Sequence, residues 1–451
     1  MHSQSRRQFL KLIFLAASAA GVAGCASRVA ATPVTDLVSG SPPPAPDPSL
    51  VLEPPTPAPT SIPAAPVVSP TVTSASEVDA AMAVRPTMTL GISAKRLVGY
   101  LPSWTIGRDY SVADVPLKSL THLIYAFAKV TESGECGSAN PKIDPDAIAE
   151  LRRRRATAKD LRTSISVGGD GGAARFPIAA ASIDSRKRFA ASAVSFMKHN
   201  GFDGIDLDWE YPNGSSQKHD FTAMVEELRT QLDDAGRIDS KRYGLTIAAP
   251  AGPAHYANLE LDRLAGLVDW FNLMTYAFHG TWSSTTNFNA PLFPSSTDPS
   301  LSFQRIIYNT DAAVQAYLGA GVPADKIVVG VPFYAYGWKG VPDVNHGLYQ
   351  SSTGLPPGTR APGVFTYRDL KSHYLGTFSR YWHDEAQVPW LYDPKGGVMI
   401  TYDDPASVGV KADYVRTRGL GGVMAWELSS DDGDHSLVTA IHDHLHQDDP
   451  A

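Results

Sequence analysis

Phe202-Asp-Gly-Ile-Asp-Leu-Asp-Trp-Glu-Tyr-Pro212 sets four acids, Asp203, Asp206, Asp208 and Glu210, among Ile205, Leu207 and Trp209. From Ile205 to Glu210 apolar and acidic residues alternate strictly, which is the period of a β-strand. Successive strand side chains point to opposite faces, so the acids share one face and the apolar residues the other. An exposed edge strand would leave Trp209 and the apolar set uncovered. A parallel barrel strand, covered outside by helices, solves this. Its acids then lie toward the C-terminal end of the strand, where barrel chemistry is carried out.

Asp206, Asp208 and Glu210 fall on one face with neighbouring Cα atoms about 6.5–7 Å apart. Carboxylates this close cannot all ionise freely, and at least one pKa should rise. Glu210, last in line and with the longest reach, is the natural proton donor. Three carboxylates also suit a hard cation such as Mg²⁺ or Mn²⁺, so the stretch by itself leaves a metal site open.

The chain has 451 residues, 43% of them hydrophobic, and a formal net charge of −7. That is ample for one large core with an appendage. It offers no basic footprint for nucleic acid. Residues 1–25 read as an export signal. Ser5-Arg-Arg-Gln-Phe-Leu-Lys11 resembles a twin-arginine motif, and the apolar run that follows is too short to span a bilayer comfortably. The run ends in Val22-Ala-Gly-Cys25, which resembles a lipobox with Cys25 as the lipidation site. The expectation is a membrane-anchored lipoprotein facing the periplasm or the outside. The other cysteine, Cys136, would then have no disulfide partner and reads as a loop bystander. Residues 26–94, rich in Pro, Ala, Ser and Thr, cannot build a core and read as a tether.

Residues 95–447 read as the folded domain. Strands are expected at 97–100, 122–128, 162–167, 204–209, 243–249, 270–275, 326–331 and 422–426. Helical patterns such as 185–199 and 221–235 lie between them. Eight strands alternating with helices indicate an α/β fold, a (β/α)₈ TIM barrel. About 90 residues separate strands 7 and 8, far more than a barrel loop needs. A small α+β insertion is therefore expected over 339–395. Trp104, Trp382 and Trp390 are candidates for stacking on a ligand. Asp431-Asp-Gly-Asp-His435 lacks the spacing of a calcium loop and is expected to be a solvated loop. No zinc site is expected from the thirteen histidines.

Asp-x-x-Asp-x-Asp-x-Glu resembles the signature of glycoside hydrolase family 18, the chitinases and their relatives. Seven further stretches resemble the family in the same order. They are Leu97–Trp104, Tyr125–Ala128, Ser166-Val-Gly-Gly169, Ala248–Ala251, Met274-Thr-Tyr276, Gly330–Tyr334 and Gly421–Trp426. The resemblance implies hydrolysis of β-1,4-linked N-acetylglucosamine polymers with retention, the substrate's own acetamido group acting as nucleophile. It implies that Glu210 is the acid, that Asp208 orients the acetamido group, and that Asp206 holds Asp208. Tyr276 would donate to the acetyl oxygen, and Trp426 would lie under the sugar. Tyr100, Phe127, Gly169, Tyr211 and Met274 would line the site. No metal or organic cofactor is implied, and a monomer is expected. Peptidoglycan or an endo-β-N-acetylglucosaminidase substrate remains a rival within the class, and a non-catalytic chitin-binding lectin a rival outside it. In the family the residue after Met-x-Tyr is commonly Asp and shapes the subsite around the acid. Here it is Ala277.

Overall fold

The structure, a computed structural model, describes residues 95–447. The expected signal (1–25), the tether (26–94) and Cys25 lie outside the described residues.

Eight parallel strands close into a barrel. They are β1 (Arg96–Pro102), β2 (His122–Val130), β4 (Arg162–Gly168), β5 (Gly204–Asp208), β6 (Gly244–Pro250), β7 (Trp270–Met274), β8 (Ile327–Pro332) and β14 (Gly422–Trp426). Their order is β1-β14-β8-β7-β6-β5-β4-β2, and a β1–β2 pairing closes the ring. A short β3 (Cys136–Ser138) pairs antiparallel with the end of β2. The expected strands are all present, each within a residue or two of the observed ends.

The alternation of the acidic stretch is what the barrel uses. Ile205 and Leu207 are fully buried against the helical layer. Trp209 stacks on Phe176 at 5.3 Å and meets Phe221 edge-on at 5.7 Å. Phe221 belongs to the helix Gly214–Asp239, which buries Phe221, Met224, Val225, Leu228 and Leu232. Those spacings of three and four residues keep one helix face on the barrel. The neighbouring helix Ile183–Asn200 begins at Ser182, whose hydroxyl accepts from Ser185 N, and stops at Gly201 with φ +75°. That left-handed conformation is the ordinary glycine C-cap.

Between β8 and β14 a second, antiparallel sheet is inserted. Its order is β10 (Val364–Thr366), β9 (Tyr334–Lys339), β13 (Val398–Thr401), β12 (Val388–Asp393) and β11 (Ser379–His383). β9 and β13 flank the expected 339–395 segment. β9 follows β8 after Phe333 alone, so one apolar run serves both sheets. Three cations of the insertion clamp it to the barrel rim. Arg360 pairs with Asp109 at 3.1 Å and donates to Ser429 Oγ at 3.2 Å. Arg368 donates to the carbonyls of Asp109 (2.9 Å) and Asp431 (3.0 Å), and Lys371 pairs with Asp432 at 2.6 Å.

Candidate active site

Asp206 lies on the barrel axis, fully buried. Its Oδ2 accepts from Tyr100 Oη (2.9 Å) and Ser166 Oγ (2.8 Å), and its Oδ1 from Thr246 Oγ1 (2.6 Å) and Asn272 Nδ2 (3.3 Å). Asn272 is itself oriented by Trp270, whose Nε1 donates to Oδ1 at 2.9 Å. Five strands thus converge on one carboxylate. Burial pushes its pKa up, and the four hydrogen bonds pull it back.

Asp208, one inward position further on, is treated differently. It is 3% exposed, and its Oδ1 has no hydrogen-bond partner. Burial, and then the charges of Glu210, Asp206 and Asp170, push this carboxyl well above the ordinary range. A buried polar atom without a partner is costly, and such atoms mark places where a ligand completes the site. Glu210 lies just past the end of β5, partly exposed in the cleft. The row runs from a fully satisfied buried acid, through a desolvated one, to one open to solvent.

The cleft above these acids has a volume of about 1550 Å³. Asp208, Glu210, Tyr211, Tyr276, Tyr100, Phe127, Met274 and Trp426 all line it. Trp426 meets Tyr100 edge-on at 5.3 Å and stacks with Phe127 at 5.9 Å, and Phe127 stacks with Trp104 at 5.8 Å. Phe127 reaches this group because the β2–β4 register shifts between Ala126 and Ala128, and a bulge re-aims the side chain there. Asp206 sits beneath the cleft instead of lining it. Gly169 also stands back. Its N–H donates to the Asp208 carbonyl at 2.9 Å, and a Cβ there would come within 2.5 Å of the Phe127 ring. Its φ of +72° and this close approach require glycine.

Several expectations are corrected. Trp390 belongs to the insertion's core, with Nε1 donating to the His346 carbonyl at 3.0 Å, and Trp382 lies under Arg380. Neither lines the cleft; Trp104 does. Asp431 and Asp432 are not in a solvated loop. Asp431 is fully buried and accepts from the N–H groups of Leu437 and Val438, in the first turn of helix Ser436–Leu445. Asp432 accepts from Ser436 N and pairs with Lys371. The loop is a helix cap and a docking point. His442 and His446 do have the four-residue spacing of a helical pair, with rings 4.9 Å apart. Among the described residues, however, no group of three or more His, Cys, Asp or Glu is gathered to hold a metal.

Sequence reasoning passed over Ser166 as an Asp206 ligand, together with Thr246 and Asn272. The period-2 parity of β4, β6 and β7 places all three inward and could have found them. It also passed over Asp170, His255, Trp282, Tyr334, Tyr336 and Arg360, which line the cleft from loops and from the insertion. Ala277 lines it as well, at φ +56°, its N–H donating to Asn289 Oδ1 at 2.8 Å.

A closed parallel barrel with carboxylates and aromatic rings at the C-terminal ends of its strands has its candidate site on the face where such barrels carry out their chemistry. The profile of Glycosyl hydrolases family 18 matches residues 96–431, and the chain belongs to that family. It is 38% identical over 410 residues to Chitinase A1 of Niallia circulans, covering 77% of this chain and 58% of that protein. The chain thus spans little more than half of that relative's length. Its fold superposes on Chitinase ChiA74 from Bacillus thuringiensis with a TM-score of 0.73 at 35% identity, covering 78% of this chain and 70% of the other. A family 18 N-acetylglucosaminidase from Paenibacillus barengoltzii gives 0.68 at 32% identity, covering 78% and 99%.

Proposed function

We propose that this enzyme hydrolyses β-1,4-linked N-acetylglucosamine polymers of the chitin type, with retention of configuration and with the substrate's acetamido group as nucleophile. The observation that carries this reading is the contrast between Asp206, with four donors, and Asp208, whose buried Oδ1 has none. An acetamido N–H is a donor of the right kind for that oxygen.

A sugar lies over Trp426 with its acetamido group turned toward Asp208 and Tyr276. Glu210, open to the cleft, protonates the glycosidic oxygen as the C1–O bond breaks. The acetyl oxygen closes on C1, and Asp208 stabilises the positive charge that develops on the amide nitrogen. Glu210, now a carboxylate, takes a proton from the water that reopens the ring. Asp206, tied to four other strands beneath, acts on Asp208 through its charge, which after burial helps keep that carboxyl's pKa raised. No protein nucleophile is needed, and the second face of C1 stays free for the acetyl oxygen.

The N-terminal reading belongs to the same proposal: Cys25 carries a lipid, and residues 26–94 hold the enzyme away from the membrane. The chitinase name of the Niallia circulans relative and of the Bacillus thuringiensis structure supports the polymer class. The test is proton NMR of chitohexaose during digestion. Products appearing first as the β-anomer support the reading; initial α-anomer, or digestion of purified peptidoglycan with the hexaose untouched, overturns it.

A further inference from the structure

Tyr276 stands just past the end of β7, where the chain leaves the barrel, and three neighbours fix where it goes. Its ring lies on β8, since a Cβ at Gly330 would come within 2.9 Å of Tyr276 Cε1. The ring of Tyr334, first residue of the insertion strand β9, meets it edge-on at 6.0 Å. Next in the chain, Ala277 turns left-handed with φ +56°. That region is unfavourable for a residue with a Cβ, and such residues persist only where their surroundings hold them.

The holder is Asn289, and each of its polar groups is engaged. Its Oδ1 accepts from Ala277 N at 2.8 Å, and its carbonyl accepts from Phe278 N at 3.0 Å. Its Nδ2 donates to the Tyr334 carbonyl at 3.3 Å, and its backbone N–H donates to Thr401 Oγ1 on β13 at 3.0 Å. A carboxamide suits the place, because the side chain accepts from an N–H and donates to a carbonyl at once. Asn289 is 1% exposed and does not line the cleft. It ties the turn after Tyr276 to two strands of the insertion.

We infer that Asn289 is a positioning residue for the hydrolysis proposed at this site, on which its role rests. By locking the turn at Ala277 it aims the Tyr276 hydroxyl at the acetyl oxygen, and it makes the insertion part of the catalytic geometry. The acetyl oxygen must meet C1 from one direction, so a shift of the group that orients it is felt in the reaction step more than in binding.

A double-mutant cycle on the full chain with chitohexaose separates this role from a merely structural one. Asn289→Ala should lower kcat by about ten- to a hundredfold, the scale of a misplaced reacting group, and change KM by less than about threefold. Tyr276→Phe should lower kcat by about a hundredfold or more, as loss of one oriented donor does. In the Tyr276→Phe background Asn289→Ala should then cost less than about threefold, because the hydroxyl it aims is already gone. Hydrogen exchange at Ala277 and Phe278 should quicken whenever Asn289 is replaced by Ala. If Asn289→Ala does not fold, Thr401→Val, which removes the acceptor of the Asn289 N–H, is compared in the same two backgrounds and should show the same cancellation. A wild-type kcat in either single variant, losses that multiply across the two sites, or unchanged exchange at Ala277 overturn the inference. A wild type that leaves chitohexaose uncut overturns the chitin reading instead, and exchange at Ala277 then still decides whether Asn289 holds the turn.

Discussion

Tyr100 Oη donates to Asp206 Oδ2 at 2.9 Å across the barrel axis, joining residues 106 positions apart in the chain. The same carboxylate binds β4, β6 and β7 through Ser166, Thr246 and Asn272, so the strands themselves fix the first acid of the row. Asp208, the next acid outward, keeps a buried oxygen without a donor, and the barrel thus holds a satisfied carboxylate directly beneath an unsatisfied one.

Glu210→Gln should lower kcat on chitohexaose by about a hundredfold or more and leave oligosaccharide affinity within a few-fold. General acid catalysis contributes about 10²–10⁴, and the amide keeps shape while losing the transferable proton. Single-turnover kinetics with calorimetric binding checks both. Retention of a few per cent of the activity would assign the acid to another residue.

Asp208→Asn should cost activity and add stability at neutral pH. The folded-state pKa of Asp208 is raised, chiefly by burial, so the acid favours folding most below its unfolded value, near 4. That contribution is lost as pH rises through the folded pKa. The variant should therefore match the wild type near pH 4 and exceed it above, by about 1.4 kcal/mol for each pH unit climbed toward the raised folded-state pKa. Urea unfolding at pH 4 and pH 8 measures this; a gain at pH 4 that vanishes at pH 8 has the wrong sign.

Trp104→Ala and Trp390→Ala should separate binding from packing. Trp104 lines the cleft in the Phe127–Trp426 group, and an aromatic contact there contributes about 0.5–1.5 kcal/mol, or a two- to tenfold rise in KM. Trp390 is 6% exposed in the insertion's core, so its loss should destabilise by about 3–5 kcal/mol. Equal KM changes in the two variants would contradict the assignment.

Lys411→Met should destabilise the fold by about 3–5 kcal/mol, because it strands the carboxylate of Asp403. The pair is completely buried, with Nζ at 2.6 and 2.8 Å from the two carboxylate oxygens. The double variant Lys411→Met, Asp403→Leu should recover most of the loss. A double variant no more stable than the single one would locate the cost in packing.

Cys25→Ser should leave the enzyme active and move it from the membrane fraction to the soluble one. Acyl chains contribute about 0.8 kcal/mol per buried CH₂, whereas the apolar run before Cys25 is too short to anchor well. Fatty-acid labelling and fractionation of both forms decide it. A variant that stays with the membrane would refute the lipid anchor.

The strands of the barrel were legible in the sequence because each carries its own period, short apolar runs cut by turns. The acidic stretch added parity, which put Asp206, Asp208 and Glu210 on one face without knowledge of any neighbour. Local order of that kind is written in consecutive residues. The different environments of Asp206 and Asp208 were not, since they depend on Tyr100, Ser166, Thr246 and Asn272 arriving from four other strands. Trp104 and Trp390 look alike in sequence, and only the packing of the insertion buries the second. Asp431 looked like a solvated acid until the last helix was placed on it. Asp170 and His255 reach the cleft from loops whose paths are set by closure of the barrel. Closure is a property of the whole ring, and no window of sequence contains it.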